Sequence, residues 1–274
     1  MKNSIKSFFL LSALFVFIAA SYLFGSSAQS FFNQTIYLLA PITAAVAGLM
    51  AIKIYGWRDP AGRDVLFIAL GLVFWTLGDV LWYVFKLFLK IDPFPSVADM
   101  FYLIGYVLIF IGIYKALRLA EVSLENFKKI GRPAMAAISL LVAVLILIVS
   151  YFGIYLAYDP SAGALTNFFG IGYGVADLIL IISSLLALMI ITVYRGGKFA
   201  SFWARFIIAL CLFLLGDILF AFYGVEFEND LKPYIYIDLF YAGGYLLFAY
   251  AMFVKYYTII AVKKNIEQNL TTAV

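Results

Sequence analysis

The chain has 274 residues, of which 66% are hydrophobic and 12% charged, against roughly 45–50% apolar and about 25% charged in soluble domains; so little polar surface cannot wrap a water-facing globule and calls for lipid as solvent. No histidine is present, which excludes histidine-ligated haem, histidine-containing zinc sites, a phosphorelay histidine and an imidazole proton relay. The formal net charge of +4 matters less than where the charges fall, and the single Cys211 rules out an intramolecular disulfide.

A membrane span needs about 20 mainly apolar residues. In chain order the sequence predicts eight, over 7–24, 34–54, 65–88, 97–117, 134–157, 168–194, 201–224 and 235–261. The breaks between them carry turn formers, among them Gly25, Gly56, Asp59-Pro60, Asp92-Pro93, Gly131, Asp159-Pro160, Gly196-Gly197 and Pro233.

The first span follows Lys2 and Lys6 and precedes Ser26-Ser27-Ala28, a pattern shared with cleaved signal peptides. Its apolar run of about 17 residues exceeds the 7–15 of a signal h-region, so it is read as retained. Asn33-Gln34-Thr35 matches a glycosylation sequon, but it lies almost at the membrane.

The third span carries Leu77-Gly78-Asp79-Val80-Leu81. Trp75, Asp79 and Trp82, at i, i+4 and i+7, share one helix face. Asp79 is expected about six residues, or roughly 9 Å, from the outer helix end. A carboxyl there faces a bundle interior by default; the plain alternative is a helix–helix hydrogen bond, which the adjacent Gly78 favours. Trp82 reads equally well as an interfacial anchor.

The fourth span opens on Pro95-Ser96-Val97-Ala98-Asp99, which predicts a capping box with Ser96 as N-cap and Asp99 at N3. Asp99, Tyr102 and Tyr106 then share a face. A charged stretch, 115–133, is the expected cytoplasmic connector. In the sixth span Gly170-Ile171-Gly172-Tyr173-Gly174 begins a helix and lacks the βαβ context of a nucleotide fingerprint. Asp177, just after it, would mark a polar site in one half only or a solvated interfacial position.

Two motifs occur twice. Leu77-Gly78-Asp79-Val80-Leu81 returns as Leu215-Gly216-Asp217-Ile218-Leu219, at an offset of 138. Asp99-Met100-Phe101-Tyr102-Leu103-Ile104-Gly105-Tyr106 returns as Asp238-Leu239-Phe240-Tyr241-Ala242-Gly243-Gly244-Tyr245, at an offset of 139. Two motifs repeated in order and nearly in register predict an internal duplication. Four spans per copy is an even number, so the copies run parallel, about an axis along the membrane normal. The expected organisation is one integral-membrane domain, 1–274, with halves of about 1–120 and 134–262. Asp177 matches Leu38 in the other copy, Trp82 matches Phe220, and Ser96 matches Ile235, which cannot cap Asp238.

Lysine and arginine set the orientation. Sixteen fall on one side of the alternating segments; only Lys86, Lys90 and Lys232 fall on the other. Both termini are therefore expected in the cytoplasm of a multi-pass cell-membrane protein.

Asp79, Asp99, Asp217 and Asp238, with Trp75, Tyr102, Tyr106, Tyr241 and Tyr245, are expected to line a pseudosymmetric cavity open to the outside. Acidic and aromatic walls suit a small cation or amine, through carboxylate pairing and cation–π contact. The alternative is that the carboxyls only lock helices together. No H-E-x-x-H, CxxC, Walker or G-x-S-x-G constellation is present, so the expectation is a protein without enzymatic activity, metal or cofactor, and with no nucleic-acid partner.

The run Gly78-Asp79…Pro93-Phe94-Pro95-Ser96-Val97-Ala98-Asp99-Met100-Phe101-Tyr102-Leu103-Ile104-Gly105-Tyr106 resembles one found in multi-pass sensor regions that precede PAS, histidine-kinase or diguanylate-cyclase (GGDEF) domains in bacterial and archaeal signalling proteins. The resemblance covers spans three and four well, and seven and eight more loosely. It implies a sensory input role and transfers no ligand-binding residue. After the last span only a short tail ending at Val274 follows, so a sensor of this form is expected to signal through a separate cytoplasmic or membrane partner. A small transporter and a structural subunit of a membrane complex are the competing expectations.

Overall fold

The computed structural model describes residues 2–23, 30–56, 59, 62–119, 131–195, 197–229, 231 and 233–272. Its described secondary structure is helical throughout. Eight helices are long and apolar enough to span a bilayer: α1 (Asn3–Leu23), α2 (Phe31–Tyr55), α3 (Arg63–Leu89), α4 (Val97–Leu119), α5 (Arg132–Leu156), α6 (Ala164–Met189), α7 (Ala200–Glu228) and α8 (Ile237–Asn265). The chain is a multi-pass membrane protein. In hydrocarbon no water can serve the backbone, so each crossing satisfies its own amides as a helix.

Local chemistry sets the ends. Gly56, at φ 91°, closes α2 and returns its N–H to Ile52 O at 2.9 Å; a residue with a Cβ strains in that conformation. Pro133 sits in the first turn of α5, where a missing N–H costs nothing. Within α2, Pro41 has no N–H to offer Tyr37 O, and the helix is interrupted at Leu38.

Two helix ends differ from the sequence expectation. The last turns of α3, Val84–Leu89, wind as π-helix and end on left-handed Lys90. Asp79 is ten residues from the helix end, where about six were expected, although the span itself ends within one residue of the predicted 88. Helix α8 does not stop near 261 but continues to Thr272. Of the connector 115–133, residues 120–130 lie outside the described residues, as do Gly25 to Ala28, Pro60, Gly196 and Lys232. Asn33 of the sequon is buried within a helix, not displayed on a loop.

Helices α2, α3, α4, α6, α7 and α8 pack in a closed ring in that order, with α8 returning to α2. The other two stand outside it: α1 against α8 and α2, α5 against α6 and α7. In α1 and α5 only 17% and 11% of the most apolar stretch is buried, against 56% in α2 and α3, so lipid is the main neighbour of both outer helices. Small residues bring the ring helices close. A Cβ on Gly71 of α3 would stand 2.5 Å from Ile109 Cγ1, and one on Gly112 of α4 would stand 2.6 Å from Ile68 Cγ1; only glycine permits that approach.

An aromatic column fills the middle. Trp75 of α3 stacks on Phe213 of α7 with ring centroids 4.8 Å apart, and Phe206 meets Phe248 at 4.8 Å. Beyond this column, toward the α2–α3 turn, Lys255 of α8 forms a buried ion pair with Asp64 of α3. Lys255 also lies over the Phe202 ring at 4.8 Å.

Candidate functional site

The two hairpins α3–α4 and α7–α8 repeat one local geometry. Gly78 and Gly216 give up side chains so that tyrosine rings can lie against their helices; an added Cβ would stand 2.6 Å from the Tyr102 ring and 2.7 Å from the Tyr241 ring. Each tyrosine then reaches back to the carboxyl beside that glycine. Tyr102 donates to Asp79 Oδ1 at 2.9 Å, and Tyr241 to Asp217 Oδ1 at 2.8 Å. Gly105 and Gly244, one turn further on, receive the rings of Trp75 and Phe213, and Trp75 Nε1 donates to Tyr102 O at 3.0 Å.

The residues before each D-x-F-Y run act differently. In the first, Ser96 N donates to Asp99 Oδ2 at 2.5 Å and Ala98 N to Ser96 Oγ at 3.1 Å. This is the reciprocal capping box expected from the sequence. The other oxygen of Asp99 accepts Tyr173 of α6 at 2.5 Å. In the second, Ile235 offers no cap, and Asp238 takes the hydroxyls of Tyr22 from α1 at 2.5 Å and Tyr83 from α3 at 3.4 Å.

Between these groups is a cavity with about 90 Å³ open to the centre of a water-sized molecule. One water needs only about 10–15 Å³ by that measure, so the space suits several waters or one small molecule. Asp79, Asp99, Asp217 and Asp238 all border it, with Trp75, Tyr102, Tyr106, Tyr241 and Tyr245. The nine residues grouped by sequence reasoning thus come together at one end of the bundle, the end that holds both hairpin turns. Asp177 is not on the wall. It is fully buried one layer behind, where Tyr106 lies 2.8 Å from its Oδ1, so it is neither interfacial nor solvated. Tyr106 also lies 3.1 Å from Asp217 Oδ2.

The sequence reading missed several wall residues. Tyr37, Tyr83, Phe94, Tyr173, Phe213 and Phe227 also line it, and Trp82 meets Phe220 there at 5.6 Å. Tyr173 sat within the glycine-rich stretch already singled out, and Tyr83 adjoins Trp82, but neither has a counterpart in a repeated motif to draw attention.

The wall carries four carboxyls and no lysine or arginine among the described residues. Asp79 Oδ2 is buried without a well-aligned hydrogen bond, and Tyr245 lies beside the same carboxyl. A buried acceptor costs free energy until something donates to it or pairs with it. At the same end but outside the spans, the turn before α6 is tied by Ser161, whose N–H and hydroxyl donate to Asp159 Oδ1 at 2.8 and 2.6 Å and hold that carboxyl below its ordinary range.

No family model matches the chain, and no curated protein or solved structure matches it. The resemblance to membrane sensor regions is carried by the motif residues alone.

Proposed function

We propose that the protein is a small-cation or amine receptor of the membrane, built from two parallel four-helix repeats, without enzymatic activity and signalling through a separate partner. The observation that carries it is the cavity wall, in which four carboxyls and a set of aromatic rings meet and which includes no lysine or arginine among the described residues. A monocation is the ligand that such a wall complements, by charge and by the negative faces of its rings.

The duplication is supported by contacts between equivalent residues. Trp75 and Phe213 hold the same position in the two copies and stack on each other; so do Trp82 and Phe220, which meet edge to face. Equivalent residues meet in this way beside a two-fold axis. Helix α4 packs on α6 as α8 packs on α2. The charge distribution of the sequence supports an outward-facing cavity and cytoplasmic termini. A sensory role is supported by the motif resemblance described above.

Binding of radiolabelled rubidium or methylammonium to the detergent-purified protein tests this reading. Saturable binding that is lost in Asp79→Asn and Asp238→Asn is expected. Absence of saturable binding across alkali cations and simple amines overturns it. One observation favours a transporter instead: the Asp64–Lys255 pair closes the bundle opposite the cavity with a contact between the two halves, as an alternating-access barrier would. Uptake of the same probes into proteoliposomes distinguishes the two, since a receptor binds without flux.

A further inference from the structure

We propose that Asp177, Tyr106 and Asp217 form a proton-binding site, and that a cation entering the cavity displaces its proton, so that binding is an exchange of one for the other. The proposal rests on the reading of the cavity as a cation site.

The geometry of Tyr106 carries it. Its hydroxyl lies 2.8 Å from Asp177 Oδ1 and 3.1 Å from Asp217 Oδ2. A phenol has one hydrogen to donate and lone pairs with which to accept. It can therefore serve one ionised carboxylate. The second contact is a hydrogen bond only if that carboxyl carries a proton and donates it to the phenol oxygen. Two ionised carboxylates would face the same hydroxyl in a place where Asp177 has no solvent exposure, and nothing would offset their repulsion.

The surroundings supply no competing charge. From α4 comes Tyr106, from α6 Tyr173, from α7 Cys211, and from α8 Tyr245 and Tyr241, the latter donating to Asp217 Oδ1 at 2.8 Å. Asp238 of α8 adds a further carboxyl near Tyr241. Among the described residues, no lysine or arginine is hydrogen-bonded or ion-paired to Asp177 or Asp217.

The site also connects to the cavity. Tyr106 and Asp217 are on the wall, while Asp177 stands behind it. A cation placed against Asp217 favours its carboxylate form. The shared O–H bond then breaks, its electron pair stays on the carboxylate oxygen, and the proton leaves to water. The carboxylate charge is now balanced by the bound cation instead of the proton. Only one copy can do this. Leu38 stands at the position equivalent to Asp177, and Tyr245, the equivalent of Tyr106, pairs with Asp79 and meets Asp217 only through its charge, so its hydroxyl is not shared between two carboxyls. The duplicated cavity would then exchange a single proton.

The test uses the intact protein in weakly buffered detergent solution with a pH-indicating dye. Addition of rubidium chloride or methylammonium chloride is expected to release about one proton per bound cation, the capacity of one shared carboxyl, and Asp177→Leu is expected to release none. Cation binding without proton release overturns the exchange and leaves the cavity reading intact. Release of equal size from Asp177→Leu overturns the assignment to this site. Absence of binding by either probe removes both the cavity reading and the exchange. Infrared spectra without ligand then decide the proton site alone. A protonated-carboxyl band that disappears in both Asp177→Asn and Asp217→Asn is expected, and a wild-type spectrum without such a band contradicts a shared proton.

Discussion

Asp99 and Asp238 hold the same place in the two D-x-F-Y motifs, yet they are served by different neighbours. Asp99 closes a capping box with Ser96 and takes one tyrosine from α6. Asp238 has no cap and instead binds tyrosines from α1 and α3. Asp79 and Asp217, by contrast, keep nearly identical bonds to Tyr102 and Tyr241, at 2.9 and 2.8 Å. The difference follows from packing. The inner pair is fixed within a hairpin, where glycine, tyrosine and aspartate must all stay for the helices to touch. The rim pair faces neighbouring elements, and a carboxyl there needs only some donor, from whichever helix brings one.

The largest expected effect comes from a contact with no counterpart. Asp64 and Lys255 align with Phe202 and Ala116 in the other copy, so their ion pair is unique to one side of the bundle. Lys255→Met leaves a buried carboxylate unpaired and is expected to cost about 3–5 kcal/mol. Combining it with Asp64→Asn should recover most of that loss in thermal unfolding of the detergent-solubilised protein. A single variant as stable as wild type would show that the pair contributes nothing.

Next come the glycines of the inner pair. Gly78→Ala and Gly216→Ala each force a Cβ against a tyrosine ring, and about 1–3 kcal/mol of destabilisation is expected for each. Equal losses would support equivalent hairpins; a loss in one alone would break the equivalence.

The rim should respond unequally. Tyr22→Phe takes a donor from Asp238 and is expected to cost about 1–3 kcal/mol, with Tyr83 compensating in part. Ser96→Ala removes the N-cap of α4 at about 1 kcal/mol, whereas Ile235→Ala removes no cap at all. Unfolding midpoints of the three variants measure this directly.

The smallest effect lies outside the bilayer. Asp159 has its carboxyl held below the ordinary aspartate range by Ser161. A depressed folded value stabilises the turn above the unfolded value, and that contribution is lost as pH falls through the folded one. Protection of the Ser161 amide, measured against its intrinsic exchange rate, should fall as pH drops through the folded value, and in Asp159→Asn it should show no such fall.

Much of this was legible in the sequence because lipid imposes simple rules. Length and hydropathy placed all eight spans, and the Ser96–Asp99 spacing announced its cap. The doubled motifs marked eight residues, and helix-face spacing added Trp75; the fold brings all nine to one cavity. What could not be read was which helix faces which. Nothing in the local pattern at Tyr22 points to Asp238, 216 positions later, and nothing at Lys255 points to Asp64. Such pairs are set by how helices pack across the bundle, and packing of uniformly apolar helices leaves almost no periodic trace. For the same reason the sequence does not decide between a site and a solvated interface at Asp177: only the neighbouring Tyr106 shows that it is internal.

Thermal unfolding of the purified protein, measured against a panel of alkali cations, ammonium and simple amines, tests the cavity most directly. A ligand that binds only the folded state raises stability by mass action. A cation site predicts that at least one compound stabilises the wild type and fails to stabilise Asp99→Asn or Asp238→Asn. If nothing in the panel shifts the wild type, while Asp79→Asn and Asp217→Asn lower its stability outright, the carboxyls serve only to join helices, and the receptor reading is contradicted.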